Sequence, residues 1–433
     1  MACEHPRISP PRRKGGAPAS FKIFAALGLC LVTSAATLGG DWPGFLGKHR
    51  DGVAQDEKPI TPWKAELETL WKIPLGAGYA GAVVAEGKVF VAHRQGASDF
   101  LDCYPVRGGD RVWRATFPAT YSGGYDQDKG PRAAPIFSNG QVFYYTATAD
   151  LHCVDAKKGE IVWSRALGKD HKPKESYFGV GASPLVLEKL VIVPLGGKNG
   201  AGLVAVDKAT GKTSWKAVED DVSYSSPIFA NFGGKPAIIA AMREKCVGIV
   251  PDNGKVLFDV PFGDRGLSVT AATPLVQGNQ LFLTAEYGIG AAMLDLSKSG
   301  APAIWENDES LSCHYNTPIF HQGFLYGTRG REDFRQGDLR CVDAADGKVK
   351  WEENGMGVAH AIRIGEQILL VGVDGKVRLI NANSMKYDEL ARGSLGDGRM
   401  RAAPAYSDGL LFVRASLSPT KSELRCFQLG DEK

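Results

Sequence analysis

Short apolar runs rich in Val, Ile, Phe, Tyr and Thr recur along most of the chain, separated by turn residues. No stretch of 12 or more residues carries helical periodicity. Residues 132–163, "RAAPIFSNGQVFYYTATADLHCVDAKKGEIVW", show the pattern most clearly. They predict four short strands: Ala134–Ser138, Gln141–Thr148, Leu151–Asp155 and Glu160–Arg165. Asn139-Gly140 is a two-residue hairpin signal between the first pair. Between the last pair, "DAKKG" sets an Asp four residues before a Gly. The Asp can bond its own downstream backbone and the Gly tolerates positive φ.

This unit repeats. Anchored on the proline that opens it, copies begin at Pro135, Pro184, Pro227, Pro274, Pro318 and Pro404, at intervals of 49, 43, 47, 44 and 86 residues. The last interval is twice 43, so a degenerate copy lies within it at 360–382, and another precedes the first at 81–95. Eight four-stranded units of about 46 residues predict an all-β, eight-bladed β-propeller. The strand-four aromatic is Trp113, Trp163, Trp215, Phe258, Trp305 and Trp351 in blades one to six, with Leu390 near that place in blade seven. The eighth unit ends at Leu429 without a fourth strand, and "LETLWKIPL" (67–75) supplies one from the other end of the chain. Trp71 therefore completes blade eight. The N-terminal strand pairs with the C-terminal blade and removes the edges that a broken ring would expose.

Ahead of the repeats, residues 1–22 carry five Lys and Arg, and an apolar run follows from Ile23 to Ala36. At 14 residues it is shorter than the roughly 20 needed to span a bilayer. It reads as a secretory signal peptide over 1–38, with Ser34-Ala35-Ala36 as a small-residue cleavage site and lipidation at Cys30 as the lesser option. An arm (39–62) and the propeller (63–433) follow. Removing the first 40 residues turns the formal charge of +3 into 46 bases against 47 acids, which argues against nucleic acid or anionic lipid as main partner.

The repeat "P…G…V…T…L.C.DA..G…W" resembles the pyrroloquinoline-quinone (PQQ) type propeller repeat. "DWPGFLGKHRDG" (41–52) resembles the "W-P-x-x-R-G-P-x-x-D-G" opening of exported bacterial, BamB-like propellers, with Leu46 for the Arg and Lys48 for the Pro. The resemblance spans 41–429 and implies the fold. It does not decide function, because the repeat serves quinoprotein alcohol dehydrogenases and non-catalytic scaffolds alike. Among the scaffolds is the propeller lipoprotein of the outer-membrane β-barrel assembly machine. The dehydrogenases stack PQQ between a Trp face and an adjacent-cysteine disulfide, beside Ca²⁺ and an Asp base. Here there is no Cys-Cys pair, and the eight Trp are Trp42 and Trp63 in the arm and six at strand four.

Other chemistry is sparse. No G-x-S-x-G, H-E-x-x-H, P-loop or C-x-x-C occurs. "YDQDKG" (125–130), with Asp126 and Asp128, makes a poor calcium cage and reads as a solvated inter-blade loop. "RGREDFRQGDLR" (329–340) reads as a hydrated hairpin tip. Cys103, Cys153 and Cys341 each lie ten residues before a strand-four Trp. They occupy one repeat position, and equivalent positions on packed sheets about 10 Å apart are too distant for a disulfide. Cys246, Cys313 and Cys426 carry no assignment.

Strand one of a propeller lines the central channel, and the residues before it form one rim. Those two residues are small in five blades but include Asn316 in blade six and His360 in blade seven. Around them lie Arg132, Tyr177, Tyr224, His314, Tyr315, Arg399 and Arg401, a set suited to an anionic, sugar-like or peptide ligand. His360, His314 and Arg401 are expected to converge on the mouth. The resulting expectation is an exported, non-catalytic, monomeric ring in the periplasm or cell envelope, or secreted. It binds a protein or envelope polymer, with no cofactor, metal, nucleic acid or mature membrane span. A small-ligand or glycan-binding propeller is the alternative, and a PQQ-dependent quinoprotein dehydrogenase the third.

Overall fold

The computed structural model describes residues 40–64, 66–173, 177–266 and 268–430, with Met1 and Ser9. Apart from Met1 and Ser9, the segment expected to be a signal peptide, Cys30 included, lies outside the described residues. Gly39–Lys433 forms one compact unit. The unit consists of eight four-stranded antiparallel sheets. Blade one runs from Val83–Ala85 to Trp113–Pro118, blade two from Ile136–Ser138 to Ile161–Ala166, and blade three from Leu185–Val186 to Thr213–Ala217. Blades four to seven start at Ile228–Phe232, Leu275–Gln277, Ile319–His321 and Ala359–Ile364. Blade eight takes Ala405–Ser407, Leu410–Ser418 and Lys421–Gln428 from the C-terminal end, and Thr69–Gly76 from the N-terminal end. Trp71 sits opposite Cys426 and Ile73 opposite Leu424.

The turn chemistry accounts for the blades. Asn139 (φ 51°) and Gly140 (φ 73°) make the tight hairpin between Ile136–Ser138 and Gln141–Tyr145. The second strand stops at Tyr145 instead of Thr148. There the Thr146 hydroxyl accepts the Asp150 N–H at 2.9 Å, and the Thr146 carbonyl accepts the Ala149 N–H, making a local turn that competes with the ladder. In the last link, Asp155 Oδ1 accepts the N–H groups of Lys157 and Lys158, and Gly159 adopts φ 76°.

That link also joins the blades. The Trp113 indole N–H donates to the Ala156 carbonyl in the next blade's link at 3.0 Å, and an added Cβ on Gly159 would lie 2.7 Å from the same ring. The arrangement recurs as Trp71–Val106 with Gly108, Trp163–Lys208 with Gly211, Trp215–Pro251 with Gly254, and Trp305–Ala344 with Gly347. Trp351 donates to Asn383 at 2.8 Å. Each aromatic pairs with a small or slender residue on strand three: Cys103–Trp113, Cys153–Trp163, Cys341–Trp351 and Cys426–Trp71. Cys426 thus joins the same repeat position as the other three. In blade seven a longer link puts Ala391, not Leu390, at the aromatic's place opposite Leu379. The arm's Trp63 covers that strand instead, donating to the Arg392 carbonyl at 2.9 Å.

Closure has polar reinforcement. The buried Arg414 guanidinium donates to the carbonyls of Gly76, Ala80 and Ala92 and to the Ser422 hydroxyl, stitching blade eight to blade one. Beside it, His93 Nδ1 accepts the Gly76 N–H, and its Nε2 lies 3.0 Å from Asp102. Burial alone would raise the Asp102 pKa, but hydrogen bonds from Arg114 and His93 outweigh that and hold it at about 2.

The arm crosses the face that carries the turns between strands one and two. Trp42 bridges to Val84, Val53 to Arg363, and the Pro43 carbonyl accepts the Phe137 N–H. Arg50 reaches into the channel and donates to the carbonyls of Ser183, Pro184 and Pro227, from blades three and four. Gln367 exchanges two hydrogen bonds with the Ile60 backbone.

Two outcomes follow for denaturant titrations. Trp163→Phe, which keeps a ring but removes the N–H to Lys208, should cost about 1 kcal/mol. Gly211→Ala, at φ 70° and against the same indole, should cost more than that. Equal stability for wild type and both variants would show that the contact is incidental.

The six cysteines among the described residues are unpaired and buried. Burial pushes the thiols of Cys103, Cys153, Cys313 and Cys426 up to about 12. A thiol reagent at pH 8 should therefore modify none of the six before unfolding and all of them after it.

Candidate functional site

Opposite the arm, the channel opens between the segments that precede strand one. These innermost backbones have no strand on the channel side, and hydroxyls serve their amides instead. Ser226 Oγ accepts the Ser183 N–H and Thr317 Oγ1 accepts the Thr273 N–H, both at 2.9 Å, each from the next blade.

The rim residues named from sequence fall into two groups. In the first, Arg401 donates through Nε to Glu332 Oε2 at 2.6 Å, Arg399 pairs with Glu332 Oε1, and the Tyr315 hydroxyl donates to Oε2 at 2.7 Å. His360 Nε2 lies 2.9 Å from the Arg401 carbonyl, and the Tyr315 ring stands 5.9 Å from His360 and 4.8 Å from His314. His314 Nε2 meets the Tyr287 hydroxyl at 2.9 Å, and its Nδ1 faces the Glu332 N–H. Asn316 is buried and donates to the Thr328 carbonyl and hydroxyl.

In the second group, Arg132 packs over the Tyr79 ring at 4.7 Å and donates to the Asp128 carboxylate and the carbonyls of Asp128 and Phe178. The Tyr224 hydroxyl accepts the Phe178 N–H, and Tyr177 meets Tyr125 edge-on at 4.8 Å. Tyr177 and Tyr224 also line a cleft of about 970 Å³ edged by Lys172, Asp221, Arg243 and Arg265. Arg401 links the groups through Tyr79 and Asp126.

Two sequence expectations change here. The 329–340 excursion is not a hydrated tip throughout. Glu332 is only 7% exposed and starts a one-turn 3-10 helix, Glu332–Phe334, because two arginines and a tyrosine at the mouth need an anion. The 125–130 loop is solvated only in part, with Tyr125 and Gln127 exposed. Asp128 is buried, its two oxygens accepting the N–H groups of Gly78 and Gly130. Glu332 is the residue that sequence reasoning missed. Its signal was the imbalance of Arg132, Arg399 and Arg401 at a rim with no acid named to answer them.

The electrostatics suit holding, not proton transfer. Burial lowers the His314 pKa to about 4 and also lowers that of His360. Burial raises Tyr315 and Tyr79, and at Arg401 burial is outweighed only by the charge and hydrogen bond of Glu332 together with Tyr315 and Tyr79, which raise the pKa. Each of these groups moves away from neutrality, where a general acid or base would be poised.

Nor do the side chains suit a quinone. The six strand-four indoles lie within blades and their seams with N–H groups donated to carbonyls, while Trp42 and Trp63 belong to the arm. The cysteines are single buried thiols, and the buried mouth carboxylates, Asp128 and Glu332, already serve amides, arginines and a tyrosine.

Ring, closure and repeat together define an eight-bladed propeller of the PQQ-like class. Residues 101–353, more than half of the chain, match the family model described as Outer membrane protein assembly factor BamB, and the chain belongs to that family. It is similar to the Outer membrane protein assembly factor BamB of Burkholderia pseudomallei, with 22% identity over 372 residues, 74% of this chain and 90% of that protein. Among solved structures, BamB from Moraxella catarrhalis has 17% identity and a TM-score of 0.60, covering 85% of this chain and 99% of that one. A europium-containing methanol dehydrogenase has 12% identity and a TM-score of 0.68, covering 90% and 98%. The structural likenesses show the fold, which BamB and a methanol dehydrogenase share. No helix among the described residues is long and apolar enough to cross a membrane.

The buried histidines predict acid sensitivity. His152, like His314, is lowered by burial to about 4 from an ordinary 6.5. Above pH 6.5 neither form binds the proton. As pH falls, the unfolded chain binds it first, so stability declines until the folded value near 4, by on the order of 3 kcal/mol for each histidine. His152 packs 4.3 Å from the Phe117 ring. His152→Phe should therefore flatten the melting temperature between pH 6.5 and 4, and an unchanged slope would refute the assignment.

Proposed function

We propose that this chain is an exported, non-catalytic scaffold whose open mouth binds another protein of the cell envelope. The observation that carries this reading is the asymmetry of the ring. The arm lies across one end and buries Arg50 in the ring, while the other presents arginines and tyrosines with the exposed aromatics Tyr125 and Phe334. Arg and aromatic side chains on a rigid surface are the usual anchors of protein interfaces. Export is supported by the charged and apolar pattern of residues 1–38. An assembly partner at the outer membrane is supported by the name of the family and of its Burkholderia relative.

The test is co-purification of envelope proteins with Tyr125→Ala/Phe334→Ala. Both side chains are exposed, so the melting temperature should stay within about 1 °C. Partner recovery should fall at least tenfold, the effect of losing one interface anchor worth about 2 kcal/mol. Undiminished recovery would remove the mouth from the interface. Melting shifts with sugars or other small molecules that line the cleft at Tyr177 and Tyr224 would favour the ligand-binding alternative.

A further inference from the structure

The mouth contains a preformed carboxylate receptor filled by the protein's own side chain. Its donors belong to the rigid ring. Tyr315 precedes strand one of blade six, while Arg399 and Arg401 precede strand one of blade eight. Arg401 is fixed from behind by His360 on its carbonyl and from the side by the Tyr79 ring at 5.3 Å. Arg399 is anchored through its backbone to Ser416. The occupant, Glu332, belongs to a loop.

That loop is pinned at its two ends by backbone bonds, Gly330 N–H to the Ser312 carbonyl and Gly357 N–H to the Gly337 carbonyl. Between those points its backbone bonds are mainly its own turn, Arg335 to Glu332 and Gln336 to Arg331. Glu332 and the packing of Arg331 on Tyr287 hold the tip down. Phe334 is 62% exposed beside the cradle, and the Arg399 side chain is 60% exposed on its outer side. Solvent therefore reaches the cradle, and the loop can leave without breaking a blade ladder.

Resting on the scaffold reading, we propose that Arg399, Arg401 and Tyr315 receive an acidic side chain of the partner polypeptide, and that Glu332 occupies the site until the partner displaces it. The chemistry is that of the internal occupant: one carboxylate accepting from a guanidinium and a phenol and paired with a second guanidinium, with an apolar neighbour two residues on.

The probe is a fluorescein-labelled peptide with the loop's own sequence, GREDFRQ. Wild type should bind it weakly. Glu332→Ala should bind it at least about tenfold more tightly, because no internal carboxylate competes. Glu332→Gln, which keeps the side chain's shape, serves if the alanine variant melts early. Adding Arg401→Gln should abolish the gain, as should Gln in place of the peptide's Glu. Equal affinities for wild type and both Glu332 variants, or indifference to the peptide's carboxylate, would overturn the inference. In envelope co-purification, a partner retained by Arg401→Gln would also overturn it while leaving the scaffold reading standing. If wild type itself captures no partner, the scaffold reading fails and the peptide titration alone decides the cradle.

Discussion

An indole N–H donated to the next blade's turn carbonyl, with a glycine pressed on the ring, is the contact on which the propeller's geometry depends. Sheet-on-sheet packing is apolar and non-directional, so it brings blades together without fixing their mutual rotation. The Trp71, Trp113, Trp163, Trp215, Trp305 and Trp351 bonds add direction at six seams. Five of the six require a glycine, because a Cβ on Gly108, Gly159, Gly211, Gly254 or Gly347 would strike the indole it faces. At the links of blades two, three and six, the preceding blade's Trp and the Asp-x-x-x-Gly link are therefore two halves of one contact, carried on adjacent blades. Phe258 has no N–H to give and Ala391 has no ring, and at the latter the arm contributes Trp63.

Closure turns these local contacts into a property of the whole ring. A chain of blades has two ends with unpaired edges, and here the strand containing Trp71 pairs with Lys421–Gln428 to remove them. Arg414 and the His93–Asp102–Arg114 group then place buried charge at the one seam whose strands come from both ends of the chain. Breaking such a buried cluster is expensive, so the seam resists partial opening. Rigidity here serves the mouth, since Tyr79, which steadies Arg132 and Arg401, lies just after that closing strand.

What the sequence made legible was whatever repeats. Prolines, strand-four aromatics and Asp-x-x-x-Gly links recur at one spacing, so eight blades and their closure could be counted. In blade seven Leu390 stands one residue short of the aromatic's place because the link is longer there: Leu379 lies 12 residues before Ala391, where Cys153 lies 10 before Trp163. Glu332 and Asp128 were read as solvated because their partners are remote in the chain: Arg401 lies 69 residues from Glu332, and Gly78 lies 50 from Asp128. Local composition reports charge but not which distant charge the fold brings to meet it. Arg50 escaped for a different reason, since its acceptors are backbone carbonyls, which every sequence contains.

The two ends of the channel answer the same problem, a guanidinium near the axis, with different acceptors. At the arm end Arg50 meets carbonyls of blades three and four and no carboxylate, and burial drops its pKa to about 9. Those carbonyls are part of the ring, so nothing that binds from outside can replace them without unfolding a blade. At the mouth Arg401 meets a carboxylate, and Glu332, together with Tyr315 and Tyr79, raises its pKa against the effect of burial. That acceptor sits on a loop tied down at its ends, so an outside carboxylate can take its place at little structural cost. The acceptor's place in the fold, more than the charge itself, makes Arg50 a fixed tie within the ring and leaves the mouth a surface open to exchange.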